Sequence, residues 1–505
     1  MAKTKKGVVV AKVGENAKKD AIEKNKEKKI KEKDKGKTQI ESDDWKKSFP
    51  IKIGLEIHGY LDTKEKLFCK CSAGFDKGEE ANTKICPICT GQPGSKPMLP
   101  NKEAMKKLIQ ISLILKCKIN HDKNLVWQRK HYSWPDLPKG YQNTISGAYS
   151  IPCAEKGKFF GIGITECHLE EDPAKWDPET GKVDYNRSGL PLIEIVTEPD
   201  FSSAQQVQEW IKNLVLTLSY IKAMRKGSGI KVDTNVSSYD DRVEIKNINS
   251  IENIGRAIEY EVKRQLENFE KGEKQPRETR QFDEKKGITI KMREKESAED
   301  YRFIPDPDLP VIKINEKEVR QIENSLPETP EEKLEKLLKK FKLERADADI
   351  LLKNLDLIEF FEKLAERVDA RKYVSFVTIE LLRVLNYNKK TLEDADIDIK
   401  PEHLAELIEE VDKNNITVLK AKQIMNDFVP KSFSVKAKLK GSEKLGDKET
   451  EEFCKQAIKT NSKAVEDYKA GKKESLNFLL GIVMKLSNRR ADFNLAREIL
   501  MKLLK

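Results

Sequence analysis

Long apolar runs are missing from this sequence. No stretch of the 505 residues approaches the roughly 20 that a membrane helix needs, and the N-terminus has no apolar segment of the signal-peptide kind. A pump, channel or fibre is excluded, and a cytoplasmic protein with no membrane partner is expected. Cysteine is scarce: eight residues cannot build a disulfide framework in a chain this long. Four of them, Cys69, Cys71, Cys86 and Cys89, nevertheless lie close together, which points to a metal. Arginine is absent from residues 1–40 while acidic residues are present, which argues against a mitochondrial transit peptide. A Walker A loop is absent as well. Gly36-Lys37-Thr38 ends like one, but Lys31 stands where its first glycine belongs.

What the chain has in quantity is charge. Charged residues make up 36% and hydrophobic residues 38%, with a mean hydropathy of −0.66, so a soluble globular protein with some solvated segment is expected. At about 150 residues per domain the length predicts roughly three domains. The net charge of +11 suggests a nucleic-acid partner until it is located: residues 1–40 hold 14 Lys against 6 acidic residues, a balance of +8, which leaves +3 for the rest. Residues 1–46 contain too little apolar surface to offset the entropy of ordering, and a disordered or transiently helical Lys-rich tail is expected there.

Period-two alternation begins at Ile51. In Ile53-Gly54-Leu55-Glu56-Ile57-His58 the odd positions are apolar, so a half-buried strand is predicted with Glu56 and His58 on one face. Strand-like runs continue to about Ile314, interrupted by helical stretches at Lys102 to Leu115 and Ala204 to Lys226. Beyond Pro310 the pattern becomes helical. Thr329-Pro330-Glu331-Glu332 reads as an N-cap, a first-turn proline and a capping-box glutamate, followed by Leu334, Leu337, Leu338 and Phe341 at helical spacing. Leu404, Leu407, Ile408 and Val411 repeat that spacing, and a Gly/Ser/Lys stretch at Lys440 to Gly446 reads as part of a linker region. The boundaries predicted are a tail (1–46), a mixed α/β catalytic domain (47–315) with a zinc segment (69–89), a helical domain (316–427) and a last helical module (428–505).

The cysteines form Cys69-x-Cys71 and Cys86-x-x-Cys89, two half-sites suited to tetrahedral zinc; four reduced, unliganded thiols are the alternative. Cys117, Cys153, Cys167 and Cys454 are scattered and expected to be buried packing residues. Polar pairs share strand faces at Glu56/His58, Asp233/Asn235 and Glu244/Lys246, each of which could also be a plain solvated sheet face. Glu194 differs. It interrupts the apolar run Leu190 to Val196, where a lone carboxylate is costly to bury without a cation or a proton. With His168-Leu169-Glu170-Glu171-Asp172, these carboxylates suit an oxygen-rich Mg²⁺ site for phosphate chemistry, and the histidine would also tolerate Mn²⁺. Lys139 and Lys246 are candidates for phosphate contacts, with a solvated lysine as the alternative for each.

Seven motifs in order resemble one family. They are Ile53 to His58, Pro135-Asp136-Leu137-Pro138-Lys139-Gly140-Tyr141, His168 to Asp172, Val183 to Arg187, Pro191 to Ile195, Val243 to Asn247, and Asp300-Tyr301-Arg302 with Pro305 to Asp308. Together they are similar to the B subunit of tRNA-dependent aspartyl/glutamyl amidotransferases, from about Ile51 to the C-terminus. The resemblance implies an α+β protein: a mixed-sheet, kinase-like cradle, an all-α domain and a small helical YqeY-like tail module that contacts tRNA. It implies ATP-dependent phosphorylation of the side-chain carboxylate of Glu or Asp misacylated on tRNA(Gln) or tRNA(Asn), followed by amidation with ammonia. The family's Mg²⁺ ligands would fall on Glu56, His58, Glu171 and Glu194, and some members carry zinc on cysteines matching all four here. Lys139 and Lys246, as candidates for phosphate or tRNA contacts, and Asp233 and Asn235 are the residues expected to bind the cofactor. No Gly/Ser-rich amidase stretch with a Ser-Ser-Lys arrangement is present, so ammonia must come from an A-type amidase subunit, with a small C-type subunit completing a heterotrimer. Arg225-Lys226 stands where bacterial relatives have an acidic pair. A zinc-containing RNA-binding protein without catalysis is the competing reading; it leaves Glu194 and the acidic runs unexplained, since carboxylates repel RNA phosphates.

Overall fold

Alternation turns Lys52–Tyr60 (β1) into a strand whose Ile53, Leu55 and Ile57 are buried while Glu56 and His58 lie on the opposite face. The computed structural model describes residues 51–74, 78–132, 134–225, 230–248, 250–294, 302–369, 371–437 and 443–504. The tail, Lys226, the Asp300-Tyr301 pair and the start of the Lys440-to-Gly446 linker fall outside them.

The remaining strands are β2 (Lys118–Ile119), β3 (Gln128–His131), β4 (Tyr141–Thr144), β5 (Ala154–Phe159), β6 (Ile162–Glu171), β7 (Lys175–Trp176), β8 (Val183–Asp184), β9 (Pro191–Thr197), β10 (Ile230–Ser237), β11 (Val243–Ile248), β12 (Glu278–Asp283), β13 (Ile288–Glu294) and β14 (Arg302–Pro305). All but β7 and β8 join one 12-stranded sheet, whose main path runs β13-β12-β11-β10-β1-β9-β6-β4-β3-β14. The sheet is mixed because β11 and β12 pair in parallel while its other pairings are antiparallel.

Helices α1 (Lys102–Ile114), α2 (Ala204–Tyr220), α3 (Ile251–Lys271) and α4 (Glu316–Asn324) start at side-chain caps from Asn101, Ser203, Ser250 and Asn315. Their apolar residues pack with Ile53, Leu55 and Ile57 in the first core. One face of the sheet is therefore covered, and its other face is free to hold polar groups. Helix α2 stops at Tyr220, short of the expected Lys226, because Lys222 adopts a left-handed backbone (φ 48°). Packing also places α4 with the sheet, not with the helices that follow: Val319 and Ile322 belong to the first core, so this unit extends past the expected boundary at 315.

The helical region continues with α5 (Pro330–Lys339), α6 (Arg345–Leu351), α7 (Leu355–Ala365), α8 (Leu382–Tyr387), α9 (Pro401–Asp412) and α10 (Val418–Met425). The anticipated capping box is present at α5, with Glu332 N donating to Thr329 Oγ1 and Thr329 N donating to Glu332. Leu337, Leu404, Leu407 and Ile408 are buried in a second core that runs on through Phe428 to Val435, beyond the expected break at 427. Tyr220 joins this core, and its hydroxyl donates to Leu352 O at 2.9 Å, tying the two units together. A third core unites α11 (Asp447–Thr460), α12 (Ser462–Lys469), α13 (Glu474–Leu486) and α14 (Phe493–Leu503), with Leu476, Leu479 and Val483 inside. Among the described residues no helix is long and apolar enough to cross a membrane.

Candidate functional site

Register decides which side chains meet. His58 on β1 and His168 on β6 both lie directly opposite Glu194 on β9, so all three project from the polar face of three adjacent strands. Glu194 Oε2 is 3.4 Å from His58 Nε2 and 3.2 Å from His168 Nε2. Burial would push the Glu194 carboxyl up, but the two imidazoles, His168 ahead of His58, hold it well below the usual carboxylate range. The cation that the apolar strand demanded is thus supplied by histidine. His168 is 2% exposed. Burial works against its charge, yet Glu194, Glu166 and Glu170 raise its pKa well above that of free histidine. Its Nδ1 meets Glu166 Oε1 at 3.1 Å as an ion-pair contact.

Glu170, not Glu171, completes this group. The donor atoms of His58, Glu170 and Glu194 all lie within 4.8 Å of one another. Glu170 accepts from Gln142 Nε2 at 3.0 Å and lies 3.7 Å from Lys130 Nζ. Glu171 is one residue further along β6, opposite Pro191, and a one-residue step along a strand reverses the face. Its carboxylate instead pairs with Lys139 and accepts from Asn143 N at 2.9 Å. Glu56, His58, Glu171 and Glu194 were expected to converge; the structure brings His58 and Glu194 together with Glu170, while Glu171 has Lys139 as its partner, with the ammonium 5.0 Å from the Tyr141 ring centre.

Glu56 heads a second, adjoining group. Its donor atom and those of Asp233 and Glu244 lie within 4.8 Å of one another. Asn235 Nδ2 donates to Glu56 Oε1 at 3.1 Å, and Lys246 Nζ bridges Asp233 at 2.8 Å and Glu244 at 2.9 Å. Burial, with repulsion from Glu194 and Glu244, raises the Glu56 pKa, while Lys246 and Asn235 act against the rise. Lys246 is thus committed to two carboxylates. Beside Glu56, Gly54 and Pro199 lie in the wall of a cavity of about 230 Å³ that Lys52 and Arg242 also line.

Toward the Tyr60 end of β1 the face turns basic. Arg187 Nε pairs with Asp172 Oδ2 at 2.7 Å, and the Tyr60 hydroxyl donates to the same oxygen at 2.8 Å. Lys231, opposite His58 on β10, has its pKa lowered by burial, against the pull of Asp172. Sequence reasoning gave His168 and Lys231 no role. Lys231 shares the parity of Asp233 and Asn235, which it did select, whereas His168 shares the parity of Glu170 and not that of the selected Glu171.

The four clustered cysteines converge as the spacing predicts, their Sγ atoms within 4.8 Å of one another. The 3.9 Å between Cys86 Sγ and Cys89 Sγ matches the edge of a tetrahedron with zinc–sulfur bonds of about 2.3 Å. The donor set fits zinc. Lys66, 1% exposed, sets Nζ 3.5 Å from Cys89 Sγ and donates to Tyr185 O at 3.2 Å. Hydrogen bonding from Cys69, and to a lesser degree the Lys66 charge, lowers the Cys89 thiol to about 5. Cys117, Cys153, Cys167 and Cys454 are buried, as expected of packing residues.

Comparison with known proteins gives the family. Residues 51–320 match the GatB/GatE catalytic domain family and residues 359–504 the family described as the GatB domain. The chain is 42% identical over 469 residues to the B subunit of the aspartyl/glutamyl-tRNA(Asn/Gln) amidotransferase of Methanococcus maripaludis strain C5, covering 90% of this chain and 98% of that protein. It belongs to this B-subunit family. The B subunit from Methanocaldococcus jannaschii is 42% identical (89% and 97% covered) and that from Methanopyrus kandleri 40% (90% and 98%). The family match through residue 320 runs past the end of β14 into α4, in step with the packing of that helix on the sheet.

Proposed function

We propose that the chain is the carboxylate-activating subunit of a tRNA-dependent amidotransferase. The side-chain carboxylate of Glu or Asp misacylated on tRNA(Gln) or tRNA(Asn) attacks the γ-phosphorus of ATP, giving an acyl phosphate and ADP. Ammonia then attacks the acyl carbon and expels inorganic phosphate. A free carboxylate is a poor acceptor for ammonia, so the oxygen must first become a leaving group. The observation that carries this reading is the cluster of half-buried His58 with buried Glu170 and Glu194 on the polar sheet face of a chain from this family. That face would serve as a kinase-like cradle.

His58, Glu170 and Glu194, with Glu56 adjoining, would hold Mg²⁺, which when bound offsets charge on the transferring phosphoryl group. The protein's own groups prepare the site. His168 keeps Glu194 ionised and aimed, Asn235 orients Glu56, and Lys231 and Arg187 place positive charge where phosphate oxygens would lie. The cavity beside Gly54 offers room for part of a substrate. Cys69, Cys71, Cys86 and Cys89 would hold a structural zinc. In a heterotrimer, an A-type amidase partner would supply ammonia and a small C-type partner would complete the assembly.

Two neighbouring carboxylates test the site. Glu170→Gln is expected to weaken Mn²⁺ binding by 10- to 100-fold, the order known for disturbed ligand shells. Glu171→Gln, which only loosens the Lys139 contact, should leave metal affinity nearly unchanged. Titration of each variant with Mn²⁺, read by electron paramagnetic resonance, decides it, and the opposite ranking would return the ligand role to Glu171.

We also propose that the C-terminal module binds tRNA away from its acceptor end. Lys473, Lys485, Arg489 and Arg497 are exposed around the core of Leu476, Leu479 and Val483, as a basic binding face requires. Removing residues 443–505 should raise KM for tRNA far more than KM for ATP. Equal changes in both constants would show a solubilising role instead.

A further inference from the structure

The cavity of about 230 Å³ beside Gly54 is built on the same three strands as the carboxylate and histidine cluster, one step further along each. Gly54 stands two residues before Glu56 on β1, Val196 two after Glu194 on β9, and Asn235 two after Asp233 on β10, so all three lie on the polar face. In the strand register Glu56 is opposite Val196, and Gly54 is opposite Asn235. Two residues of strand span about 7 Å, which is the offset of the cavity from the cluster.

The polar groups of its lining are already engaged. Asn235 Nδ2 donates to Glu56 Oε1 at 3.1 Å, Thr197 Oγ1 accepts from Leu55 N at 2.9 Å, and Ser237 Oγ donates to Asp240 O at 2.8 Å. What remains for an occupant is apolar wall from Val196 and Pro199, with no side chain at Gly54 between them. Val196 is half-buried and stands outside the core that takes Ile193 and Ile195. Lys52 and Arg242 line the same cavity and are exposed, and among the described residues neither forms an ion pair. Asp241, beside Arg242 in the chain, is not part of the lining, and other carboxylates near it are turned elsewhere: Glu198 accepts from Thr165 Oγ1 at 2.9 Å, Asp200 from Gly163 N at 2.9 Å and Asp240 from Gln275 N at 3.4 Å.

An apolar slot with two free cations where it opens has the chemistry of a nucleotide seat, a ring face against the wall and a phosphate at the opening. Two nucleotides meet in the proposed reaction, ATP and the terminal adenosine that carries the amino acid. Phosphoryl transfer sets the attacking and leaving oxygens roughly in line on opposite sides of phosphorus, so the two must approach the cluster from opposite ends. Strand β1 defines those ends. It runs from Gly54 through Glu56 and His58 to Tyr60, roughly 20 Å at about 3.4 Å per residue. At Tyr60 the charges gather: Lys231 Nζ is 5.9 Å from its ring centre, Arg225 N donates to its carbonyl at 2.9 Å, and its hydroxyl shares Asp172 Oδ2 with Arg187. That end suits a polyphosphate. At the other end Glu56 forms part of the cavity wall, where it repels a polyphosphate and attracts the α-ammonium of an aminoacyl ester.

We propose that this cavity seats the 3′-terminal adenosine of the misacylated tRNA, with Lys52 and Arg242 on the phosphodiester that precedes it. The choice of tRNA rests on the function proposed above. From the ribose oxygen to the side-chain carboxyl carbon a glutamyl ester spans five bonds, about 6 Å at roughly 1.5 Å per zigzag bond, which covers the step from the cavity to the cluster.

The test follows phosphorylation of Glu-tRNA(Gln) by the full chain at varied tRNA and at varied ATP. Val196→Phe fills the cavity from a position outside the core, and it should raise the half-saturating tRNA concentration by about 10-fold or more, as one misfitted group in an apolar pocket does, with that for ATP unchanged. Arg242→Gln, at an exposed residue, should weaken tRNA binding and reduce the slope of log K against log salt by about 0.7, the loss of one contact to a single strand. The stable amide 3′-glutamylamino-3′-deoxyadenosine should bind the wild type in isothermal titration and lose affinity in Val196→Phe. A rise in the ATP requirement of Val196→Phe with tRNA spared would place the ring of ATP in the cavity and overturn the proposal. Unchanged values for both substrates in both variants would overturn it as well. A wild type that does not phosphorylate Glu-tRNA(Gln) would overturn the proposed function, and the amide then decides the cavity by itself: binding that Val196→Phe abolishes keeps the seat, and no binding removes it.

Discussion

Replacing Glu194 by glutamine is expected to lower tRNA-dependent amidation by on the order of 10²-fold or more, the range seen when a group stabilising transition-state charge is lost. The substitution preserves volume and leaves an amide able to hydrogen-bond His58 and His168. What disappears is the negative charge at the point where three strands present their polar groups. His168 is placed between Glu194 and Glu166, so it loses one of the charges that keep it protonated, and His58 loses its only ion-pair partner among the described residues. Both the charge that the cluster would offer a cation and the imidazoles beside it are therefore affected. The sheet should survive, because Ile193 and Ile195 on the opposite face of β9 still fill the core. Assembly with partner subunits, tRNA binding and basal glutamine hydrolysis should remain. The measurement is single-turnover phosphorylation of Glu-tRNA(Gln) beside a circular dichroism melt. A normal phosphorylation rate in a folded variant would falsify the site, and a variant that does not fold would make Glu194 a structural residue.

How much of this site could be read in advance depended on how many strands each inference needed. The face shared by Glu56 and His58 follows from the alternation in β1 alone, and it is as expected. Glu194 stood out because it was the one carboxylate in an apolar strand. The choice between Glu170 and Glu171 needed a second strand: consecutive acids alternate faces, and only the pairing of His168 with Glu194 says which one looks inward to the cluster. The β6–β9 pairing also shifts register between Ile164 and Glu166, so counting along β6 could not have settled it. Lys246 was selected as a candidate for phosphate or tRNA contact, and its grip on Asp233 and Glu244 comes from two strands meeting. The same limit applies to α4. The expected boundary at 315 assigned it to the helical domain, whereas the choice between two cores is made by Val319 and Ile322 in three dimensions.

The zinc segment offers the other large effect. Purified chain should contain about one zinc per molecule, and Cys86→Ser should reduce that well below one, because a tetrahedral thiolate site loses a quarter of its donors. Zinc held by four thiolates carries a net charge of −2, and the buried Lys66 ammonium beside Cys89 reduces this to −1 within the protein. Without metal, four thiols that repel one another as thiolates must share that space, and burial first, then Cys86 and Cys89, push Cys71 up to about 11. Structural zinc sites in small finger peptides are worth about 10–16 kcal/mol near pH 7, so even a fraction of that should loosen the segment. The effect should spread along defined contacts. Ser188 Oγ donates to Cys89 O at 2.7 Å, and Gly91, with φ 66°, packs so tightly that an added Cβ would lie 2.7 Å from Pro138 O. Pro138 precedes Lys139, the partner of Glu171. Elemental analysis, together with limited proteolysis of the 69–98 region, should show zinc loss and new cleavage in the variant. A Cys86→Ser protein that retains one zinc per chain and the wild-type proteolytic pattern would show that these thiols do not share a metal.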